Sequence, residues 1–336
     1  MTQGISSMKS YTLEFSFDVT GCEMEGHLNP EIVSQIHFKN AKLDYIEFMP
    51  TRNQTHVKGS VTVELNQLDD LFLGETFIHS HLIPMIRNTL AITNSSQDKL
   101  PFLPYFEPSI NLITYRGLNH IDVQVLKEKK VKCGEHPQNP LKLDLNDFSK
   151  NLIHLVIKLD RATLQQKNHE RISAIQRSFF WLIGAQQVGH TDGFLIYEVI
   201  SKYRLLWTAL NAIYNLYKKT TERQTIKNFA RNPFIVDYVD SLVQKKDTII
   251  FNLISSKLTL WDNFPISDEL SKSIQSVDKV KTAQNFMFCL YAIRNPIIHG
   301  SELNDEIKLC KGAYIVLEHI VKKSIRAEIM KLSEKS

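Results

Sequence analysis

The chain has 336 residues, too many for one ordinary hydrophobic core and about right for two domains of typical size. Hydrophobic residues make up 43% and charged residues 23%, so the chain can fold throughout and extended disorder is not expected. A formal charge of +4 permits a nucleic-acid partner but excludes the dense basic stripe that would argue for one unaided.

From Tyr11 to Val19 the apolar side chains alternate strictly (Tyr11, Leu13, Phe15, Phe17, Val19), which is the period of a half-buried strand. Similar short runs at Leu43–Met49, Val57–Leu65, His120–Leu126 and Leu152–Leu159, separated by Gly, Asn and Pro, predict further strands of one sheet. Minor helices are expected around Leu68–Leu73 and Phe77–Leu90. After about Leu159 the apolar residues recur every three or four positions instead. The expected division is a β-rich domain over 1–165 and a helical domain over 166–336, an α+β fold class overall.

The strongest predicted helix runs from Phe194 to Lys219, with Ile196, Val199, Tyr203, Leu206, Trp207, Leu210, Ile213, Tyr214 and Tyr217 on one broad apolar face. Thr191 or Asp192 would cap its start, and Lys218 and Lys219 suit the dipole at its end. Its aromatic residues are assigned to the core. Further helices are expected at Ile172–Gln186, Phe234–Leu260, Lys279–Arg294 and Asp305–Leu332, forming an up-and-down bundle.

Cys22, Cys133, Cys289 and Cys310 contain no CxxC pair, so neither a disulfide framework nor a zinc knuckle is indicated. With no basic-then-apolar leader and no stretch near the roughly 20 apolar residues that span a bilayer, the expectation is a cytoplasmic protein without a membrane partner.

Within the bundle, the segment from Asn285 to Gly300 carries the chemistry: an apolar helix leads into Arg294-Asn295-Pro296-Ile297-Ile298-His299. Pro296 cannot donate to Ala292 and disfavours αR at Asn295, so the helix is predicted to end or kink there. In an unbroken helix positions 294 and 299 stand about 140° apart, and a kink would re-aim them. Arg supplies a permanent planar cation suited to phosphate, and His titrates near neutral pH. RNA carries its own nucleophile, the 2′-hydroxyl, so such a pair can deprotonate it, stabilise the phosphorane and assist the leaving oxygen without a cofactor.

At these residues the sequence resembles the HEPN superfamily, whose signature is Arg, four to six residues, then His, commonly with Asn after the Arg. The resemblance covers roughly residues 165–330 and includes the apolar approach, Gly300 after the His and a long final helix. It implies a homodimeric helical bundle in which two motifs face one cleft, acting on RNA as a metal-independent endoribonuclease in antiviral defence or a toxin-like system. Arg294 would hold the scissile phosphate, His299 would transfer protons and Asn295 would orient the backbone or the neighbouring subunit. The alternative is a non-catalytic HEPN module that dimerises and binds RNA, a nucleotide or a protein partner. Some members also carry Glu-x3-Lys in the first bundle helix, and Glu198 and Lys202 have that spacing. They would orient His299 or Arg294 and meet phosphate, or else form an exposed ion pair.

Other candidates are weaker. Cys133 and His136 have CxxH spacing without a second pair, and His79 and His81 would share a strand face without a third ligand. Lys127, Lys129, Lys130 and Lys132 make a short basic run. No Gly-rich phosphate loop is visible, and the domain over 1–165 is expected to sense a trigger or regulate the nuclease.

Overall fold

A computed structural model describes residues 9–20, 22–51, 54–66, 68–93, 109–116, 141–165, 168–188, 195–260, 263–299 and 306–332. The chain forms two units, Met1–Arg161 and Ala162–Ser336. The first is built on an antiparallel sheet and the second is helical, so the fold class is α+β.

In chain order the strands of the first unit are β1 (Lys9–Thr20), β2 (Cys22–Glu23), β3 (Gly26–His27), β4 (His37–Phe38), β5 (Ala41–Thr51), β6 (Gln54–Leu65), β7 (Ser109–Arg116) and β8 (Leu141–Lys142). The sheet order is β3-β5-β6-β1-β7, with β4 also on β5, while β2 and β8 pair separately. The alternation expected at Tyr11–Val19 is realised: Tyr11, Leu13, Phe15, Phe17 and Val19 are all buried. Val57, Val61 and Val63 of β6 share that face, and β1 runs opposite β6 from Lys9↔Leu65 to Thr20↔Gln54. Polar pairs occupy the other face, among them His56 Nδ1 with Asp18 Oδ1 at 2.7 Å and Lys58 Nζ with Glu47 Oε2 at 2.7 Å.

A bulge between Leu43 and Tyr45 shifts the register of β5 on β6, so the buried side chains pass from Leu43 to Ile46 and Phe48. There the strands come so close that a Cβ on Gly59 would lie 2.5 Å from the Tyr45 carbonyl oxygen and 2.5 Å from the Phe15 ring. A backbone oxygen cannot swing aside. Gly59→Ala is therefore expected to destabilise this unit by about 1–3 kcal/mol, the usual cost of overpacking. The measurement is the urea midpoint of strand circular dichroism, and an unchanged midpoint would contradict the account.

Helical segments cover the apolar face. A 3₁₀ turn (Leu68–Phe72), a short α-helix (Leu73–Phe77), a π turn (Ile78–Leu82) and a further α-helix (Ile83–Ile92) follow β6. Tyr11 ties them to the sheet: its hydroxyl donates to the Leu71 carbonyl at 2.7 Å and accepts from the Gly74 amide at 3.0 Å.

Two expectations fail in this unit. Leu152–Leu159 is not a strand but a π turn (Leu152–Ile157) leading into an α-helix (Lys158–Leu164). The apolar run is too short for its period to decide, and the helix that contains it starts upstream, where the Asp144 carboxylate caps the Asn146 amide at 2.7 Å. His79 and His81 lie on the Ile78–Leu82 π turn rather than a strand; His81 stacks on Phe38 at 3.8 Å and reaches Asp160 at 3.5 Å. The expected strand at His120–Leu126, Cys133, His136 and the lysines at 127, 129, 130 and 132 lie outside the described residues.

The helices that matter in the second unit are αA (His169–Gln187), αB (Leu195–Tyr214), αC (Glu222–Phe229), αD (Pro233–Gln244), αE (Thr248–Ser255), αF (Ile266–Gln275), αG (Lys279–His299) and αH (Glu306–Met330). αA, αB and αH pack on one another, and αG contacts αB, αD, αF and αH. Tyr203, Leu206, Trp207, Leu210 and Ile213 of αB meet Phe286, Leu290 and Ile293 of αG in a continuous buried core.

The single helix expected over Phe234–Leu260 is two, αD and αE. Lys246 adopts a left-handed φ of 52° between them, and the Asp247 carboxylate caps the Ile249 amide at 3.0 Å. αB likewise stops at Tyr214 and closes in a 3₁₀ turn (Asn215–Tyr217), leaving Lys218 and Lys219 beyond it. Thr191 and Asp192 lie outside the described residues.

Cys22, Cys289 and Cys310 are buried. Among the described residues no helix is long and apolar enough to cross a membrane.

Candidate functional site

αG is buried on every side from Thr282 to Ile293, and this packing carries it past the point where its sequence predicts a stop. Pro296 lies inside the helix, which continues to His299, so the expected termination near Asn295 is corrected. Pro296 still withholds an N–H from the Ala292 carbonyl, but tertiary burial outweighs that local cost. Positions 294 and 299 therefore belong to one helix, about 140° apart in regular geometry. The side chains of residues 296–299, His299 included, lie outside the described residues.

Arg294 emerges where the buried run ends. One turn earlier on the same face stands Tyr291, and the guanidinium carbon lies 5.5 Å from its ring centroid. Nη1 donates to Asn295 Oδ1 at 3.1 Å, while Nε is buried without a hydrogen-bond partner among the described residues. The Asn295 side chain also acts on the Tyr291 phenol, lowering it slightly against the larger effects of burial and Glu222.

Glu222 closes the arrangement from αC. Its Oε2 accepts from the Tyr291 hydroxyl at 2.9 Å and its Oε1 from the Tyr214 hydroxyl at 2.9 Å. Trp207 backs both rings, its centroid 5.8 Å from Tyr291 and 6.2 Å from Tyr214. Burial, and then Glu222, pushes the Tyr291 phenol up to about 12 and raises that of Tyr214 as well, so both remain protonated donors at neutral pH. Both carboxylate oxygens are thus held by phenols, and among the described residues Arg294 has a neutral amide and a ring face but no carboxylate partner.

The local chain explains the meeting. After αB the 3₁₀ turn reverses direction, the Thr225 hydroxyl accepts from the Lys219 amide at 2.9 Å, and Thr221 caps αC by accepting from Gln224 at 3.2 Å. Glu222 then opens αC, where a carboxylate is favoured by the helix dipole.

Glu198 and Lys202 occupy a different setting from the exposed pair expected of them: they are only 8% and 7% exposed. αB is covered by αA and αH along this stretch, which leaves them no solvent face. Burial lowers the Lys202 ammonium, opposed by Glu198 and by Glu318 of αH. Glu318 in turn accepts from Lys322 at 2.7 Å and from Gln186 of αA at 3.3 Å. The structure therefore groups Arg294 and Asn295 with Tyr291 and Glu222, and Glu198 and Lys202 with Glu318.

Sequence reasoning missed the roles of Glu222, Tyr214 and Tyr291. Tyr291 is detectable three residues before Arg294, and Tyr214 is correctly read as core, although its hydroxyl does polar work there. Glu222 carries no signal without the turn that returns it. Among the described residues no group of three or more His, Cys, Asp or Glu side chains is placed to hold a metal ion. No protein-family model matches the chain, and no curated protein or solved structure matches it significantly.

Proposed function

We propose that the helical unit is a HEPN-type endoribonuclease that cleaves RNA through attack of its own 2′-hydroxyl. The observation that carries this reading is Arg294: a part-buried guanidinium whose Nε lacks a partner and whose charge has no carboxylate opposite it among the described residues. A charge removed from water without a counterion is costly, and a phosphate supplies what is missing with matching planar geometry.

Arg294 binds the scissile phosphate and stabilises the charge that develops on it; His299 transfers protons; Asn295 holds the guanidinium. Since αG continues through Pro296, positions 294 and 299 of one subunit belong to one helix and stand about 140° apart in regular geometry. A homodimer resolves this by placing Arg294 of one copy near His299 of the other. The unit over Met1–Arg161 senses a trigger or restrains the nuclease, in a cytoplasmic defence or toxin-like role. Glu198 and Lys202 support the bundle from within.

A second reading, a non-catalytic HEPN module that binds RNA or another phosphate ligand, is favoured by the same contact, since Asn295 holds Arg294 through a neutral amide, an arrangement that binding alone can use. Labelled RNA incubated with the full chain in excess EDTA separates the two. Cleavage to 2′,3′-cyclic phosphate and 5′-hydroxyl ends is expected. Binding without cleavage would favour the module, and cleavage only with a divalent ion would sink the mechanism.

A further inference from the structure

We propose that Glu222 is a positioning residue for Arg294, acting through the two phenols that it anchors. The inference rests on the reading of Arg294 as the phosphate-binding cation.

A carboxylate beside a cationic site would ordinarily pair with the cation and occupy the place of the substrate. Here it does not. Tyr214 and Tyr291 each donate to one oxygen of Glu222 at 2.9 Å, so the carboxylate is satisfied by neutral donors and the guanidinium keeps its charge. The contacts form one chain: Tyr214 to Glu222, Glu222 to Tyr291, and the Tyr291 ring to Arg294, whose Nη1 also donates to Asn295. The ring of Tyr291 is also the platform under the guanidinium, and Trp207 packs 5.8 Å away from it.

Fixing the Tyr291 hydroxyl therefore fixes the platform on which the Arg294 guanidinium rests. A carboxylate suits the central position because it accepts from two phenols at once through charge-assisted bonds, whereas an amide accepts from one and makes the second phenol turn from donor to acceptor, losing the charge-assisted bond to each. The backbone places the anchor at both ends: Glu222, itself exposed, opens a helix capped by Thr221, and the buried Tyr214 ends αB.

The sign of one substitution separates positioning from simple charge. Glu222→Gln removes a negative charge near an anion site. If Glu222 acted only through its field, an oligonucleotide would bind more tightly to the variant. If it positions Arg294, binding weakens despite the gain in net positive charge.

The test uses the full chain with Glu222→Gln and, separately, Tyr291→Phe, each checked for folding by thermal melting. The heteronuclear ¹⁵N–¹H NOE of the Arg294 Nε–Hε group, assigned by its disappearance in Arg294→Lys, reports the order of the guanidinium without any need for activity. The ligand is a fluorescent, fully 2′-deoxy single-stranded oligonucleotide, which carries phosphates but no internal nucleophile.

The NOE is expected to fall in both variants. Oligonucleotide affinity should drop about three- to tenfold in Glu222→Gln, the worth of roughly one ordinary hydrogen bond. In an Arg294→Ala background the same change should leave affinity unaltered. An NOE unchanged in the folded variants, or tighter binding by Glu222→Gln, overturns the proposal. Should Glu222→Gln not fold, Tyr291→Phe decides, since it keeps the ring and removes only the hydroxyl. Wild-type binding that is indifferent to Arg294→Ala would defeat the ribonuclease reading, with the NOE still judging whether Glu222 orders Arg294.

Discussion

His299→Ala is expected to slow RNA cleavage by about 10²–10⁴-fold, the usual worth of a positioned acid or base. A thermal melt of the variant, taken alongside, separates loss of chemistry from loss of fold. An unchanged rate would remove His299 from the mechanism. The proposed dimer would add a sharper form of the test: Arg294→Ala and His299→Ala proteins are each expected to be inactive alone, yet a mixed dimer would keep one intact Arg and one intact His across the interface. After random exchange, about a quarter of wild-type activity should return, since half of the dimers are mixed and each restores one of two sites. No recovery after verified exchange would place both residues in one subunit's site.

A single 2′-deoxyribose at the cut position is expected to abolish cleavage there and leave binding nearly intact. The contacts attributed to Arg294 are to phosphate, which the substitution retains, whereas the nucleophile is lost. Mapping the ends of a substrate with one deoxy substitution checks this, and cleavage at the substituted linkage would mean that water rather than ribose attacks.

The α+β class was legible because its two periods are physically distinct. Strict alternation over Tyr11–Val19 marks a sheet with one buried face, and the spacing from Val199 to Tyr214 marks a helix buried along a broad stripe. Legibility failed where a local rule met a tertiary one. Leu152–Leu159 is apolar enough for either element, and Pro296 signals a stop that the surrounding core overrides. Lys246 and Lys257, each left-handed with a φ of 52°, interrupt an apolar pattern that reads as continuous when only hydrophobicity is followed. At the candidate site, Arg294 and Asn295 stand out in the sequence because they adjoin the proline. The Glu222 link depends on a reversal of the chain after Tyr214, and no spacing rule connects a carboxylate to a phenol eight residues before it across a turn.

The buried cysteines give each unit its own clock. Cys22 lies in the first unit, and Cys289 and Cys310 in the second. Burial pushes the Cys22 thiol up to about 12 and raises that of Cys289, so little thiolate exists to react while either stays enclosed. With Cys133 replaced, the rate at which an alkylating reagent captures Cys22 or Cys289 measures how often the surrounding structure opens. A trigger that loosens one unit and leaves the other shut would register as faster capture at one thiol alone, and so distinguish a sensor from the domain it governs.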